Sequence, residues 1–404
     1  MAYIFNNKVE YSDSPNLDAF GRLRISQITN LLDIKHTYDK NPLIVNEITA
    51  GTATSIFDKT NARVRMSTSA NNDFVIRESK INPIYQPGKS QLFEGSFNNF
   101  QLETNIIKRV GCFTSTTGSP YNSVFDGIFL ESNGVTNEIS FQIWKSGTTI
   151  YSAETSTWDN TQIDPSSIDW TKSQLMITDY QWLGVGRVRF GLNLSGLTYY
   201  FTEHTSANNE NTVYMSSSNQ PIRYEIRQVG VGSGYLDMIC SQVSAEGSLA
   251  ELYQTTSIPH TATTTLVTSG TKYPYVGLRL KQGYKSVNSK ISRVSILNTS
   301  NDNYLISIEF NPTLSSTPTW TDLTDSPFQY SLQNGTNTIT SQGYILSSLI
   351  GAAGTSALSE VDIEDNQIKI GSSVNGTVDE VWVCITPLGA NATFLGSCNI
   401  RYYL

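Results

Sequence analysis

The sequence predicts an all-β protein: two β-sandwiches of lectin-like or jelly-roll-like type, preceded by an N-terminal arm. Composition is the first reason. Of 404 residues only 15% are charged, against about 25% in an average globular protein, while Ser, Thr, Asn and Gly abound and 21 Tyr and 16 Phe supply apolar mass. The second reason is spacing: short runs rich in β-branched and aromatic residues recur between turn formers, which is the pattern of a sandwich or barrel. The third is what is missing. No fixed-period repeat or heptad is visible, which argues against a solenoid, a propeller or a fibrous shaft.

Taken in order, residues 1–55 read as an arm or anchor segment. "DSPNLDAFGRLRISQITNLLDIKHTYDKNPLIV" opens on a Pro-Asn turn, and Leu17, Phe20, Leu23 and Ile25 fit neither the helical nor the strand period. Its continuation "QITNLLDIKHTYD" is compatible with a short helix or an extended arm that packs on another surface, a neighbouring subunit included. Residues 56–256 form the central sandwich, with strands in "ARVRMST", "NDFVIRES", "KSQLFEGSF", "IIKRVGCFT", "DGIFLES", "EISFQIW", "QLMITDYQWL", "VGRVRFGL", "LTYYFTEHT", "IRYEIRQVG" and "YLDMICSQVSAE". Asn133-Gly134, Ser146-Gly147 and Ser195-Gly196 are hairpin signals, because they supply the positive φ that right-twisted strands require. Residues 257–274, with two prolines and a Thr/Ser cluster, read as a linker. Residues 275–404 form the second sandwich, from "YVGLRLKQ" through "QIKIGSS" to "CNIRYYL".

Within the central region, 185–194 reads as a half-buried strand with an unusual face. Val185, Arg187 and Arg189 point one way, while Gly186, Val188 and Phe190 point the other. Arginines beside glycines suit a sheet packed against loops or a neighbour, with carboxylates as partners in bidentate pairs. Arg223 and Arg227 in "IRYEIRQ" are candidates to extend that face.

Length and charge set limits. A chain of 404 residues can hold two or three cores. With 27 basic and 35 acidic residues and no basic stripe, nucleic acid is a poor partner. The start lacks a secretory pattern and no segment reaches the ~18 apolar residues of a membrane helix, so synthesis in a cytoplasm without membrane insertion is the expectation. Cys112, Cys240, Cys384 and Cys398 form no C-x-x-C pair and read as buried small side chains. No metal site or cofactor is expected. The stretch 361–366, "VDIEDN", has oxygen donors for Ca²⁺ but lacks the D-x-D-x-D-G spacing.

Candidate chemistry is sparse. His36, His204 and His260 lie far apart, and no serine sits in a G-x-S-x-G elbow. "VGVGSGY", 229–235, lacks the G-K-[ST] ending of a phosphate cradle and reads as a Gly-rich hairpin loop. Asp159, Asp164, Asp169 and Asp179 lie near Trp158, Trp170 and Trp182. Such a set serves glycan hydrolysis if two carboxylates flank a sugar, or glycan binding if the rings alone act. The alternative is structural: tryptophans in the core and aspartates capping loops. No catalytic residue is assigned.

Two stretches, "DSPNLDAFGRLRIS" (13–26) with "LLDIKHTYDKNPL" after it, and "YQWLGVGRVRFGLNLSGLTYYFTEHTSANN" (180–209) with "TVYMSSSNQPIRYEI" after it, resemble a group of tailed-bacteriophage virion structural proteins of marine and gut phages. "YQPGKSQLFEGSF" and "YPYVGLRLKQGYK" look similar to that group as well. The resemblance implies a virion component and not an enzyme: an oligomeric capsid decoration, head fibre or tail protein, assembled in the host cytoplasm and anchored through its arm. Leu17, Phe20, Arg22, Arg24, Arg187 and Arg189 are then interface candidates. By analogy the assembly is a homotrimer, meeting other virion proteins and host surface glycans. The alternatives are a glycan-degrading tail depolymerase and a monomeric carbohydrate-binding module.

Overall fold

The computed structural model describes residues 2–5, 8–11, 17–25, 27–116, 124–247, 253–284, 286–354, 357–362 and 369–403. The chain divides into two compact units, 1–250 and 251–404. Both are antiparallel β-sandwiches, as expected of the sequence. Helical structure among the described residues is confined to three single 3-10 turns, Thr155–Thr157, Pro165–Ser167 and Gln282–Tyr284. None of them is long or apolar enough to cross a membrane.

In the first unit one sheet runs, edge to edge, Thr148–Glu154, Glu138–Lys145, Val124–Asn133, Ile106–Ser115, Ile222–Gln228, Phe74–Ser79 and Val45–Ala50. The facing sheet runs Leu197–Thr205, Arg187–Leu194, Gln174–Tyr180, Gln91–Asn98, Gly234–Glu246, Arg63–Thr68 and Thr54–Asp58, and Ile28–Lys35 pairs with the far half of Gly234–Glu246. Alternate residues of both sheets meet in one core. Phe141 of the first sheet stacks on Phe190 of the second at 5.0 Å, and Tyr224, Ile143, Val188 and Leu192 join the same cluster.

The second unit repeats the principle with a four-stranded sheet, Gln254–Leu266, Ala392–Tyr403, Asn288–Asn298 and Ala357–Asp362. It faces a six-stranded one, Thr321–Asp322, Phe328–Leu332, Tyr273–Leu280, Glu380–Pro387, Tyr304–Phe310 and Tyr344–Gly351. Phe394 and Tyr304, ring centroids 5.0 Å apart, join the two layers.

Several expectations need correction. Much of the arm is sandwich: Ile28–Lys35 and Val45–Ala50 are strands, so of the two alternatives for "QITNLLDIKHTYD" the extended one holds over Ile28–Lys35, as a strand of the first unit's own sheet. The linker is largely strand as well, since Gln254–Leu266 pairs with Ala392–Tyr403 along its length. Pro259 is tolerated because this strand forms the sheet's edge, where a missing N–H interrupts no second ladder. "QIKIGSS" supplies only isolated bridges at Ile370 and Ser372. Residues 229–235 do not close a hairpin; they cross from Ile222–Gln228 in one sheet to Gly234–Glu246 in the other.

The turn chemistry is local and matches its reading at two of three sites. Ser146-Gly147 and Ser195-Gly196 each close a two-residue hairpin with both φ values positive (48° and 80°, 53° and 83°). Asn133-Gly134 instead opens a longer loop, Asn133 pairing with Glu138, because the Asn133 side chain accepts from the N–H groups of Val135 and Thr136.

Candidate functional site: an N-terminal clamp and an aromatic pocket

The run 187–194 is not half-buried. Val188 to Leu192 are all buried, because the polar face is covered by residues 17–25 of the same chain. Antiparallel register sets Asp179 directly opposite Arg189, and Arg189 opposite Glu203. The pleat therefore places acid, base and acid side by side on the sheet's outer face.

The segment "LDAFGRLR" folds onto that face as a stapled turn. Leu17 bridges Leu23, and Gly21 occupies φ +76°, the left-handed region that glycine adopts without strain. Asp18, 1% exposed, holds the turn from inside. One carboxylate oxygen accepts from the Phe20 and Arg22 N–H groups at 2.9 and 2.8 Å, and the other takes both Nε and Nη2 of Arg22. The Arg22 guanidinium in turn lies 4.5 Å above the Phe20 ring.

Two residues on, Arg24 reaches inward. Its Nη2 lies 2.6 Å from Asp179 Oδ2, its Nη1 3.4 Å from Glu246, and its Nε donates to the Leu17 carbonyl at 3.2 Å. Arg189 closes the clamp from below, donating to both Asp179 and the Leu17 carbonyl while its guanidinium stacks 4.3 Å over Tyr200. Arg187 donates to the Ala19 carbonyl at 3.3 Å and pairs with Glu203 at 3.1 Å. Burial works against the Arg24 charge, but Asp179, Tyr200 and Glu246 together outweigh it and raise the Arg24 pKa. Glycine again permits the approach: a Cβ at Gly186 would sit 2.0 Å from the Gln181 carbonyl oxygen in the loop beneath.

All six interface candidates thus belong to one intrachain construction. Leu17 is 3% exposed, Arg189 1%. The sequence did not disclose the pairing of Asp179 with Arg24; an i, i+2 arginine pair signals a charged face without naming what covers it. Arg223 and Arg227 do not extend this face. They lie in the opposite sheet, in a separate buried network with Glu225, Glu78, Arg109 and Glu131.

The tryptophans divide. Trp158, 4% exposed, is core, stacked on Phe141 (4.5 Å) and Phe201 (5.1 Å), its indole N–H donating to the Ala153 carbonyl. Trp170 is half-buried, tilted against Phe100 at 5.9 Å and edge-on to Trp158 at 6.2 Å. Together they line a cavity of about 400 Å³ with the loop 155–168. Trp182 lies apart, donating to the Met215 carbonyl and packed edge-on to Tyr85.

The carboxylates have local tasks. Asp159, Asp164 and Asp169 each accept from the N–H two residues on, in Thr161, Ser166 and Thr171. Asp179 is wholly buried in the clamp.

The histidines stay separate. His204 Nε2 is 3.1 Å from both Ser206 Oγ and Glu210 Oε1. A catalytic triad needs the nucleophile hydroxyl and the orienting carboxylate on opposite ring nitrogens, so this contact is not a triad. His36 and His260 are buried, the latter 4.4 Å from the Tyr275 ring. Cys112, Cys384 and Cys398 are buried, but Cys240 is exposed where the strand bulges between Met238 and Ser241, and all four are free thiols. Among the described residues no group of three or more His, Cys, Asp or Glu is placed to hold a metal. Residues 363–366 of the Ca²⁺ candidate lie outside the described residues.

No family model matches the chain, and no curated protein does. Among solved structures it is similar to a Bacillus licheniformis beta-glucanase (11% identity, 55% of this chain and 99% of that one, TM-score 0.36). It is also similar to a legume lectin-like domain from Entamoeba histolytica (12%, 54% and 98%, 0.33). A carbohydrate esterase from a Shiga toxin-encoding bacteriophage gives 11%, 55% and 100%, and 0.34. At such identities the likeness concerns β-sandwich construction alone.

Proposed function

We propose that this chain is a structural component of a tailed-phage particle, a surface protein of the capsid or tail that is fastened through its N-terminal segment. One observation carries the proposal. The two stretches on which the sequence resemblance rests are in contact through a buried clamp, although Leu17 and Arg189 are 172 residues apart in the chain. Charged residues paired at buried positions fix geometry more than they add stability, since a buried pair repays little more than its own desolvation. Here the geometry fixed is the exit of the N-terminal segment from the sandwich. A segment clamped in this way transmits its position to the whole first unit, which is what an anchored particle protein needs.

On this reading residues 1–16 meet other virion proteins, the sandwiches face outward towards host glycans, and the chain acts as a homo-oligomer, a trimer by analogy. The test is to produce particles with the full chain and with residues 1–16 deleted, leaving the clamp intact, and to quantify the protein in purified particles by mass spectrometry. The deleted form should accumulate as folded free protein and be missing from particles. Its normal incorporation would overturn the anchoring role. Native mass spectrometry of the free full-length chain gives the oligomer directly, and a monomer under all conditions would remove the trimer.

A further inference from the structure

We infer that the cavity between Trp158, Trp170 and the loop 155–168 is a binding site for a neutral saccharide. This deepens the outward-facing part of the proposal above and rests on it only for where the saccharide would come from. The cavity, about 400 Å³, falls within the ~300–1,000 Å³ span of small-ligand sites. Its floor is apolar and held in place. Trp158 is locked by two stacked phenylalanines and a hydrogen bond, and Trp170 leans on Phe100. Trp158, covered by Phe141 and Phe201, serves as rigid backing, and the half-buried Trp170 supplies the ring surface that a ligand meets, with little entropy left to lose on binding.

The rim is polar and uncommitted. Ser156 and Asn160 are exposed, and neither side chain makes a hydrogen bond among the described residues. Asp164 uses Oδ1 to cap the Pro165–Ser167 turn at 2.9 Å. The Ser166 N–H holds its carboxyl below the ordinary range, so it is an ionised acceptor at neutral pH. Charge decides the ligand class: no Lys or Arg lines the cavity and one carboxylate does, so phosphates, sulfates and uronates are repelled. Apolar floor, hydroxyl and amide rim and a lone acceptor match a molecule with one C–H face and several O–H donors, which is an uncharged sugar.

The test is titration of the full chain with glucose, galactose, mannose, N-acetylglucosamine, maltose, lactose and cellobiose, followed by tryptophan fluorescence and calorimetry, with glucuronate as the anionic control. At least one neutral sugar should saturate, and glucuronate should not. Trp170→Ala should weaken that sugar about tenfold. Because Trp170 also packs on Phe100, Asn160→Ala serves as the second variant. Its exposed side chain makes no hydrogen bond within the described residues, and its loss should cost about threefold. No saturation by any neutral sugar in the millimolar range overturns the inference, as does binding that both variants leave unchanged. Either failure leaves particle incorporation untouched, so it is distinguishable from failure of the anchoring role.

Discussion

Two buried arginine clusters in the first unit are made of the same parts and do different work. In the clamp, Arg24 and Arg189 converge on Asp179, joining a sequence-distant segment to a sheet. In the opposite sheet Arg109 and Arg223 converge on Glu225, and Glu131 and Glu78 complete a row across four adjacent strands. The row joins strands already held by their own ladders. The clamp holds a segment whose only strand-type contact with itself is a single bridge. Ion pairing is thus redundant for position in the row and decisive in the clamp, whereas the electrostatic stakes run the other way. Glu225 and Asp179 are both wholly enclosed, but every cation on Glu225 is buried, whereas Arg24 keeps 19% of its surface in water and has Glu246 as a second acid.

The largest effect is therefore expected where function is least involved. Burial pushes the Glu225 carboxyl up, but Arg223, Arg109 and Arg227 overcome it and hold it down at about 2. Glu225→Ala leaves these guanidinium groups buried around an empty place and should cost about 3–5 kcal/mol of stability. Chemical denaturation of the full chain, followed by the fluorescence of the first unit, measures it. Asp179→Ala should cost less, about 3 kcal/mol, because it strands one wholly buried guanidinium, Arg189, while Arg24 can turn to water and Glu246. Its signature is positional: limited proteolysis should cut within 17–25 while the strands beneath stay protected. Equal global losses without selective cleavage would erase the distinction between the clusters.

This contrast also shows what a sequence can disclose. Ser146-Gly147 and Ser195-Gly196 were legible because a two-residue turn is decided by the residues in it. The strands were legible from their alternation, and so was the charged face of 187–189. Partners were not. Whether Arg223 belongs to the sheet of Arg189 or to the opposite one depends on non-local pairing, and two Arg-x-x-x-Arg or Arg-x-Arg runs look alike before that is known. Residues 257–274 read as linker because Pro259 and the threonines suit a loop equally well; only the place of Gln254–Leu266 at a sheet edge makes most of it strand. The pocket has the same history. Trp158, Asp164 and Trp170 stood out by type, but Ser156 and Asn160 became notable only once the loop had closed around them.

Acid sharpens the comparison through a third buried basic group. His36 gives its Nδ1 proton to the Ile239 carbonyl at 2.8 Å, so Nε2 accepts from Arg77 at 3.2 Å. Burial, and then the Arg77 charge, lower its pKa to about 4. The unfolded chain, with an ordinary value near 6.5, takes up this proton first, so the neutral-His stability is complete above about pH 6.5 and is lost as pH falls towards 4. The loss should reach about 2 kcal/mol at pH 5. Denaturation midpoints at pH 7 and pH 5 measure it, and His36→Gln should remove that share of the difference, leaving the part due to His204 and His260, whose pKa values burial also lowers. Glu225 titrates far lower and adds nothing here, while burial raises the Glu78 carboxyl and so acts in the opposite sense, favouring the fold as pH falls. A slope undiminished in His36→Gln would place the acid sensitivity elsewhere.

The smallest expected effect isolates the clamp most cleanly. Gly21 at φ +76° has no atom within 4 Å of a built Cβ, so Gly21→Ala introduces backbone strain and no clash. The strain is about 1 kcal/mol. It falls on a segment that can open without unfolding the sandwich, so it should appear as local opening and not as a shifted global midpoint. Hydrogen exchange of the Asp18 and Arg22 amides, which donate to the Arg22 carbonyl and the Asp18 carboxylate, should quicken about fivefold. Amides of Arg187–Leu194 should be unchanged. Gly21→Asn, tolerated in the left-handed region, should restore most of the protection. If the strand amides quicken together with those of the turn, the segment is part of the sandwich's own cooperative unit, and its fastening is not a separable device.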